Sequence, residues 1–457
     1  MQTRLKARWI FPVDRPPIAN GVVEIEDGII VDVRQARPHE VAEDLGDVAI
    51  LPGLVNAHAH LEFSLVEKPF EPPLPFTSWV RSLMAYRREA FGADASLKVA
   101  AIAAGWREAA ASGTTLIGEI ATDDWSLNAT HLRSHHAPRD ERDASSRFIS
   151  AENRRLSGAT GSSRGAMTAT YASGPRVVAF RELIGLRAET VARQEAIAQE
   201  WLAQASGAMD IFAAISPHAP YSVSPTLLTR AASLAQQHGI PVAMHVAETR
   251  AELEFLASGR GEFADMLRGF GAIPDEGLPT GPRPLDILRA LADAPRALVV
   301  HGNYLVDDEI DFLAARPQMS VVYCPRTHQF FGHEPHPWRR LLAQGINVAI
   351  GTDGRGSNPD LSVWNELTFL RSRFPDVAPQ TLLEMGTLAG ARSLGFDADC
   401  GSLTPGKRAD LVVVSVNGSV AVDDPQELLF VAGQQILETR FACLTPTPSA
   451  WARTLMA

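Results

Sequence analysis

"LPGLVNAHAHLEFS", residues 51–64, is an apolar run that ends in two histidines one residue apart and then a glutamate. Side chains of a strand alternate between faces, so His58 and His60 point one way and Ala59 the other. Two imidazoles on one face at a strand's end can grip a metal ion from one side. Whether they do depends on what the rest of the chain brings to the same place.

Further apolar runs follow, each bounded by a helical stretch: "TTLIGEI" (114–120), "RVVAFREL" (176–183), "MDIFAAISPHAP" (209–220), "PVAMHVAE" (241–248), "RALVVHGNY" (296–304), "MSVVYCPRT" (319–327) and "NVAIGTDG" (347–354). Amphipathic segments such as "SPTLLTRAASLAQQHG" (224–239) and "DDEIDFLAARP" (307–317) separate them. With the opening run they make eight, the strand count of an α/β, (β/α)8 TIM barrel, whose active site lies at the C-terminal strand ends. The chain's two ends read differently. "ANGVVEIEDGIIVDVRQ" (19–35) alternates around Asn20-Gly21 and Asp27-Gly28, and Asp-Gly between β-rich runs signals a hairpin. "GSLTPGKRADLVVVSVNG" (401–418) is again strand and turn. The pattern predicts a small sheet domain assembled from residues 1–52 and 398–457 around a barrel over 53–397.

Notable polar residues sit at the predicted strand ends: His58 and His60, His218, His245 with Glu248, His301, and Asp353. One such histidine is ordinarily structural. Five, converging with an aspartate and a glutamate on one barrel mouth, point to a metal centre. Nitrogen and carboxylate donors without thiolate suit zinc, with iron(II) as the alternative. A divalent ion can lower a bound water's pKa from about 15.7 towards 7. A carboxylate beside the metal, for which Glu248 is the candidate, can then carry the proton to a leaving group.

Composition narrows the class. The net charge of −11 argues against a general nucleic-acid or membrane-surface binder, leaving a small molecule as the partner. Cys324, Cys400 and Cys443 lie far apart, which excludes a disulfide scaffold and a zinc ribbon. The N-terminus carries no signal-peptide pattern and no run reaches membrane-spanning length, so the cytoplasm is the expected location. The Ser- and Arg-rich stretch 127–175 lacks periodicity and reads as an inserted loop, its His131, His135 and His136 solvated.

"PGLVNAHAH", "HAPYSVSP", "HVAE", "VVHGN", "GTD", "TLAGARSLG" and "GSLTPGKRADLVVV" occur here in the order found in the amidohydrolase superfamily. The chain resembles most the branch of cytosine, guanine and S-adenosylhomocysteine or methylthioadenosine deaminases, over about residues 20–415. "NAHAHLEFS…F..W" with "HAPYSVSP" further resembles aminodeoxyfutalosine deaminases, Phe76 and Trp79 being the support. The resemblance implies a TIM-barrel metal hydrolase with a small β-sandwich. It implies His58, His60, His245 and Asp353 as metal ligands, Asp353 also taking part in catalysis. It further implies Glu248 as proton shuttle, His301 as the histidine that orients the hydroxide, and His218 as a substrate contact. It allows a homodimer. Binuclear members carry a carboxylated lysine at a strand end. This chain has only Lys6, Lys68, Lys98 and Lys407, none so placed, and a mononuclear site follows.

Further substrate-binding candidates are Glu62, Trp79, Glu119, Glu182, Arg326 and His328, four of them with a structural alternative: capping for Glu62, surface exposure for Glu119 and Glu182, helix packing for Trp79. His333 and His336 read as loop residues. The expected reaction is hydrolytic deamination of an aminated heterocycle, foremost the 6-amino group of an adenine nucleoside. The same site leaves open a triazine chlorohydrolase or a cyclic amide or imidazolone hydrolase. A catalytically inactive scaffold is disfavoured because every expected ligand is present.

Overall fold

In a computed structural model, which describes residues 2–123, 125, 174–204, 210–273, 281–416 and 424–442, the chain forms two separate sheets. The N-terminal segment supplies β1 (Gln2–Ile10), β2 (Ile18–Glu26), β3 (Ile29–Gln35), β4 (Glu43–Asp44) and β5 (Val48–Pro52). Eight strands follow: β6 (Leu54–Ala59), β7 (Thr114–Ala121), β8 (Arg176–Leu183), β9 (Ile211–Pro217), β10 (Pro241–Val246), β11 (Arg296–His301), β12 (Met319–Tyr323) and β13 (Asn347–Ile350). Last come β14 (Leu411–Ser415) and β15 (Ile436–Arg440).

The terminal sheet runs β15-β14-β5-β1-β2-β3, with β4 beside β1, so both chain ends do meet in one mixed sheet. Its β2–β3 hairpin turns on Asp27 and Gly28, both at positive φ (47° and 80°), as an Asp-Gly turn of the primed type requires. Asn20-Gly21 is not a turn. Both residues lie inside β2, Gly21 opposite Ala7 and Gln35, because a Cβ on Gly21 would come within 2.8 Å of Ile10. Leu5, Ile10, Val23, Ile30, Ile50, Leu411 and Val413 form this sheet's own core.

β6 to β13 lie side by side in chain order, all parallel, and the ring closes where Ala59 pairs with Asp353. At that seam the Thr352 and Asp353 amides both donate to the His58 carbonyl, at 3.0 and 3.1 Å. Gly351 permits the approach: a Cβ there would sit 2.9 Å from His58 Cβ. Strand alternation sorts residues into two cores. Ala243, Leu298, Val300 and Val322 fill the barrel, the buried leucine and valines contributing about 1.5–3 kcal/mol each. Val242, Met244, Val299 and Val321 pack outward against the helices. The helix Pro225–His238 shows why those helices form: the Ser224 side chain caps the Leu227 amide at 3.2 Å, Pro225 opens it, and Gly239 ends it at φ 64°.

Among the described residues no helix is long and apolar enough to cross a membrane. The stretch 127–175, apart from Gly174 and Pro175, lies outside the described residues, and with it His131, His135 and His136; so does Cys443.

Candidate active site

Strand geometry alone does not bring the polar residues together; four local departures do. Ala57 belongs to the barrel interior, whereas Ala59 packs outside with Ile102 and Trp106. The ladder irregularity between Asn56 and Ala59 makes this switch, as bulges beside active sites do, and it leaves His58 and His60 bracketing Ala59. Asn56 braces the turn, its Oδ1 accepting from the His58 and Thr352 amides. His301 follows the inward-facing Val300, so strict alternation would send it outward. Instead its backbone turns to φ 67°, and its ring lies 5.4 Å from that of His245. Asp353, at φ 58°, and Ala247, at φ 53°, share this left-handed conformation. Each costs on the order of 1–3 kcal/mol in a non-glycine residue, and such strain clusters at functional sites.

The result is a compact group. His58 and His60 rings are 4.9 Å apart, and His58 lies 5.0 Å from His245. Asp353 Oδ1 faces His58 Nε2 at 3.6 Å and His60 Nε2 at 3.5 Å, while Ser357 donates to its Oδ2 at 2.6 Å. Two overlapping trios have donor atoms close enough to share one ion, His58–His60–Asp353 and His58–His245–His301. The fit is chemical as well as geometric. His58 Nε2 is buried without a hydrogen-bond partner, and the His245 Nδ1–H donates to the His218 carbonyl at 2.8 Å, which leaves Nε2 its lone pair. Burial, reinforced by neighbouring histidines, lowers His245 to about 3 and holds His60 and His301 well below the usual imidazole range, so all three are neutral, the form that binds metals. A divalent ion suits this donor set.

Glu248 lies beside the trios rather than in them, its Oε1 3.4 Å from His301 Nε2. Burial, then the charges of Asp353 and Glu252, push its carboxyl well above the usual range. Its surroundings therefore favour the protonated form over the carboxylate. His218, which burial lowers to about 3, hydrogen-bonds Ser222 and stands 4.0 Å from Glu182.

These groups floor a cavity of about 220 Å³. Its wall is mostly apolar, drawn from the helix Phe76–Tyr86 (Phe76, Trp79, Leu83, Met84) and from Met266, Leu267 and Phe270 opposite. Of the residues singled out in the sequence, Trp79, Glu182 and His218 line it, Trp79 fixed by its indole N–H on the Gly356 carbonyl at 2.9 Å.

Four others do not reach it. Glu62 is buried behind the wall, where its carboxylate takes hydrogen bonds from Arg87 and from Thr122 at 3.0 Å, with Lys98 at 3.6 Å. Glu119 is wholly buried against the Leu61 amide, and burial raises its carboxyl well above the usual range. Arg326 is locked to Glu366 and Asp360, and His328 donates to the Glu334 carbonyl. Glu62, Arg326 and His328 thus have their partners away from the cavity, whereas Glu119 Oε1 is buried without a hydrogen-bond partner among the described residues.

The sequence missed three wall or support residues. Arg87 lines the cavity where the helix Phe76–Tyr86 passes into a π-helical turn, Arg87–Phe91, with its guanidinium held by Glu62. Tyr221 sits in the "HAPYS" motif, a signal that was present but unused. His336 does lie in a loop, between the helices Pro325–Phe331 and Trp338–Ala343, but it is buried, stacks on Tyr323 at 4.0 Å, and donates from Nε2 to the His301 carbonyl at 2.8 Å.

His336 also yields a test. Burial holds it at about 3, whereas the unfolded chain protonates histidine below about 6.5. The unfolded state therefore binds more protons as pH falls from about 6.5, and stability drops by up to about 1.4 kcal/mol per unit for this residue alone. Urea unfolding of metal-free protein between pH 7 and pH 5 measures the slope. His336→Asn is expected to make it shallower by about one proton.

Comparison with known proteins gives the arrangement its context. A curated 5-methylthioadenosine/S-adenosylhomocysteine deaminase of Moorella thermoacetica is 29% identical over 431 residues, covering 90% of this chain and 85% of that one. A zinc-bound adenosine deaminase structure from Xanthomonas campestris superposes with a TM-score of 0.71 at 24% identity, covering 99% of this chain and 97% of that one. The Helicobacter pylori aminofutalosine deaminase structure gives 0.74 at 19% identity, covering 97% and 99%. The sequence profile of the amidohydrolase family matches residues 49–436, and the chain belongs to that family.

Proposed function

We propose that the chain is a metal-dependent deaminase that hydrolyses the 6-amino group of an adenine nucleoside and releases ammonia. One observation carries the reading: a buried carboxyl, Glu248, stands inside the cavity 3.4 Å from His301 and next to the donor trios, in surroundings that favour its protonated form. The deaminase relative named above, which spans most of this chain, supports the substrate class. His58, His60, His245 and Asp353 would hold one ion, which we take to be zinc because the donors are nitrogen and oxygen without thiolate. When bound, such an ion lowers the pKa of a coordinated water and so supplies the nucleophile.

The protein's own groups do the rest. The purine ring enters with its amino-bearing edge towards the barrel floor. Glu248 gives its proton to the ring nitrogen beside the amino-bearing carbon, which makes that carbon electrophilic. It then takes a proton from the attacking water and passes it to the amino group. The carbon–oxygen bond forms, the carbon–nitrogen bond breaks and ammonia leaves; the proton still on the oxygen returns to Glu248, which restores its carboxyl and leaves the neutral oxo product. His301, neutral because it is buried, orients the attacking oxygen by hydrogen bonding. His218, Glu182 and Arg87 offer polar contacts to the sugar side of the ligand, and Trp79 and Phe76 exclude water from the reacting edge. We assign this chemistry to a barrel domain over 53–397, with the composite terminal domain as its support.

The apolar wall fits a nucleoside whose 5′ substituent is a thioether rather than a free hydroxyl. Met84, 40% exposed at the mouth, is placed to touch that substituent. Met84→Glu puts a charge there and is expected to raise KM for methylthioadenosine about tenfold, with kcat changed far less. Steady-state kinetics with methylthioadenosine and adenosine check it, since the effect should be smaller for adenosine.

Ammonia release by metal-loaded protein tests the function itself. The panel comprises adenosine, methylthioadenosine, S-adenosylhomocysteine, aminodeoxyfutalosine, guanine, cytosine and an aminotriazine. Release from one adenine nucleoside supports the reading. Release from the triazine alone, or from none with metal bound, contradicts it.

A further inference from the structure

The Glu248 carboxylate has no side-chain hydrogen bond of its own among the described residues, so its aim depends on the backbone beneath it. That backbone, residues 246–248, leaves β10 through Ala247 at φ 53°, and its polar groups are met one by one. The Val246 carbonyl accepts from the Gly302 amide at 3.0 Å and the Ala247 carbonyl from the Tyr304 amide at 3.2 Å. Asn303 Nδ2 donates to the Glu248 carbonyl at 2.9 Å. The Ala247 and Glu248 amides both donate to one carboxylate. Glu252 Oε1 takes Ala247 and Oε2 takes Glu248, each at 2.8 Å.

Glu252 is wholly buried and stands in the first turn of the helix Arg250–Ser258, three residues after Thr249, whose hydroxyl accepts the Glu252 amide at 3.0 Å. A glutamate at this position ordinarily reaches back to the start of its own helix. Here the oxygens reach past Thr249 to the two residues before it. One rigid fork grips two successive peptides, and the left-handed turn between them is held in the conformation that points Glu248 into the cavity.

We propose that Glu252 is a positioning residue for Glu248: its bidentate grip on the Ala247 and Glu248 amides sets the direction of the proton-carrying side chain. The inference rests on the reading of Glu248 as the proton carrier. Only a carboxylate serves, because both oxygens must accept. In Glu252→Gln one of the two places becomes an NH2 group facing an N–H, so one bond is lost and a repulsion replaces it.

The experiment is a double-mutant cycle on the metal-loaded enzyme with the best nucleoside of the panel, comparing wild type, Glu252→Gln, Glu248→Gln and the double variant. Ser362→Ala, which removes the N-cap of the helix Val363–Arg373, serves as a stability control. The expected result is a fall in kcat of at least about tenfold in Glu252→Gln, with KM and metal content close to wild type. In the Glu248→Gln background the same change should cost nothing further, since a residue that acts only through Glu248 has nothing left to position. Ser362→Ala should lower Tm and leave kcat unchanged.

Three results overturn the inference. A Glu252→Gln kcat within about twofold of wild type would show the grip to be dispensable. An equal loss in both backgrounds, or loss of metal, would give Glu252 a merely structural role. Full activity in Glu248→Gln itself would remove the premise, and is distinguished from the others because it appears in the single variant without Glu252 being touched.

Discussion

Glu248→Gln is expected to lower turnover about 100- to 10,000-fold while leaving metal content and Tm close to wild type. Glutamine matches the shape and keeps an acceptor, but it has no proton to give the ring nitrogen and cannot collect one from water. The separation of effects follows from position. Glu248 lies outside both donor trios, so its substitution leaves the ligand set whole. The group is buried, and burial favours its neutral form, so a neutral side chain of the same shape suits the place it leaves. Steady-state kinetics, metal analysis and thermal melting on the same preparation check all three parts. Loss of metal together with activity would instead place Glu248 among the ligands.

The second large effect belongs to His58. It is the one residue common to the two trios, and its Nε2 is a buried nitrogen without a hydrogen-bond partner among the described residues. His58→Ala is expected to abolish stoichiometric metal binding and with it deamination. A ligand at 1,000 times its dissociation constant stabilises the folded state by about 4 kcal/mol. Wild type should therefore melt higher with metal than after chelation, and His58→Ala should melt at the same temperature in both. A variant that still gains stability from the metal would mean that the ion sits elsewhere in the barrel mouth.

Much of this was legible from residue order, for reasons that differ by element. The barrel strands were readable because each is buried on both faces and so reads as an unbroken apolar run, and each ends in a residue too polar for such a run. The Asp27-Gly28 hairpin was readable because few residues tolerate its positive φ angles, whereas Asn20-Gly21 carries the same turn signal inside a strand where close packing on Ile10 demands glycine. The cavity wall was less legible. Whether Met84, Arg87 or Phe270 faces the cavity is decided by how a helix rolls on the barrel, which a local pattern does not encode. Isolated charges misled for the opposite reason. Glu62 and Arg326 lie near signature motifs, but their partners come from far along the chain: Thr122 for Glu62, Asp360 and Glu366 for Arg326. His336 was hidden among neighbouring histidines in "THQFFGHEPHPW". Only its hydrogen bond to the His301 carbonyl tells it apart from His328, which bonds at the protein's outer side.

The central claim is that water displaces ammonia from the purine ring at this site, and one measurement tests it most directly. Metal-loaded protein is incubated with methylthioadenosine in water enriched in heavy oxygen, and the product is weighed by mass spectrometry alongside an ammonia assay. The account predicts one solvent oxygen in each product base, equimolar ammonia, and neither in the Glu248→Gln control. Turnover of the nucleoside without ammonia, with solvent oxygen appearing on the sugar instead of the base, would contradict it.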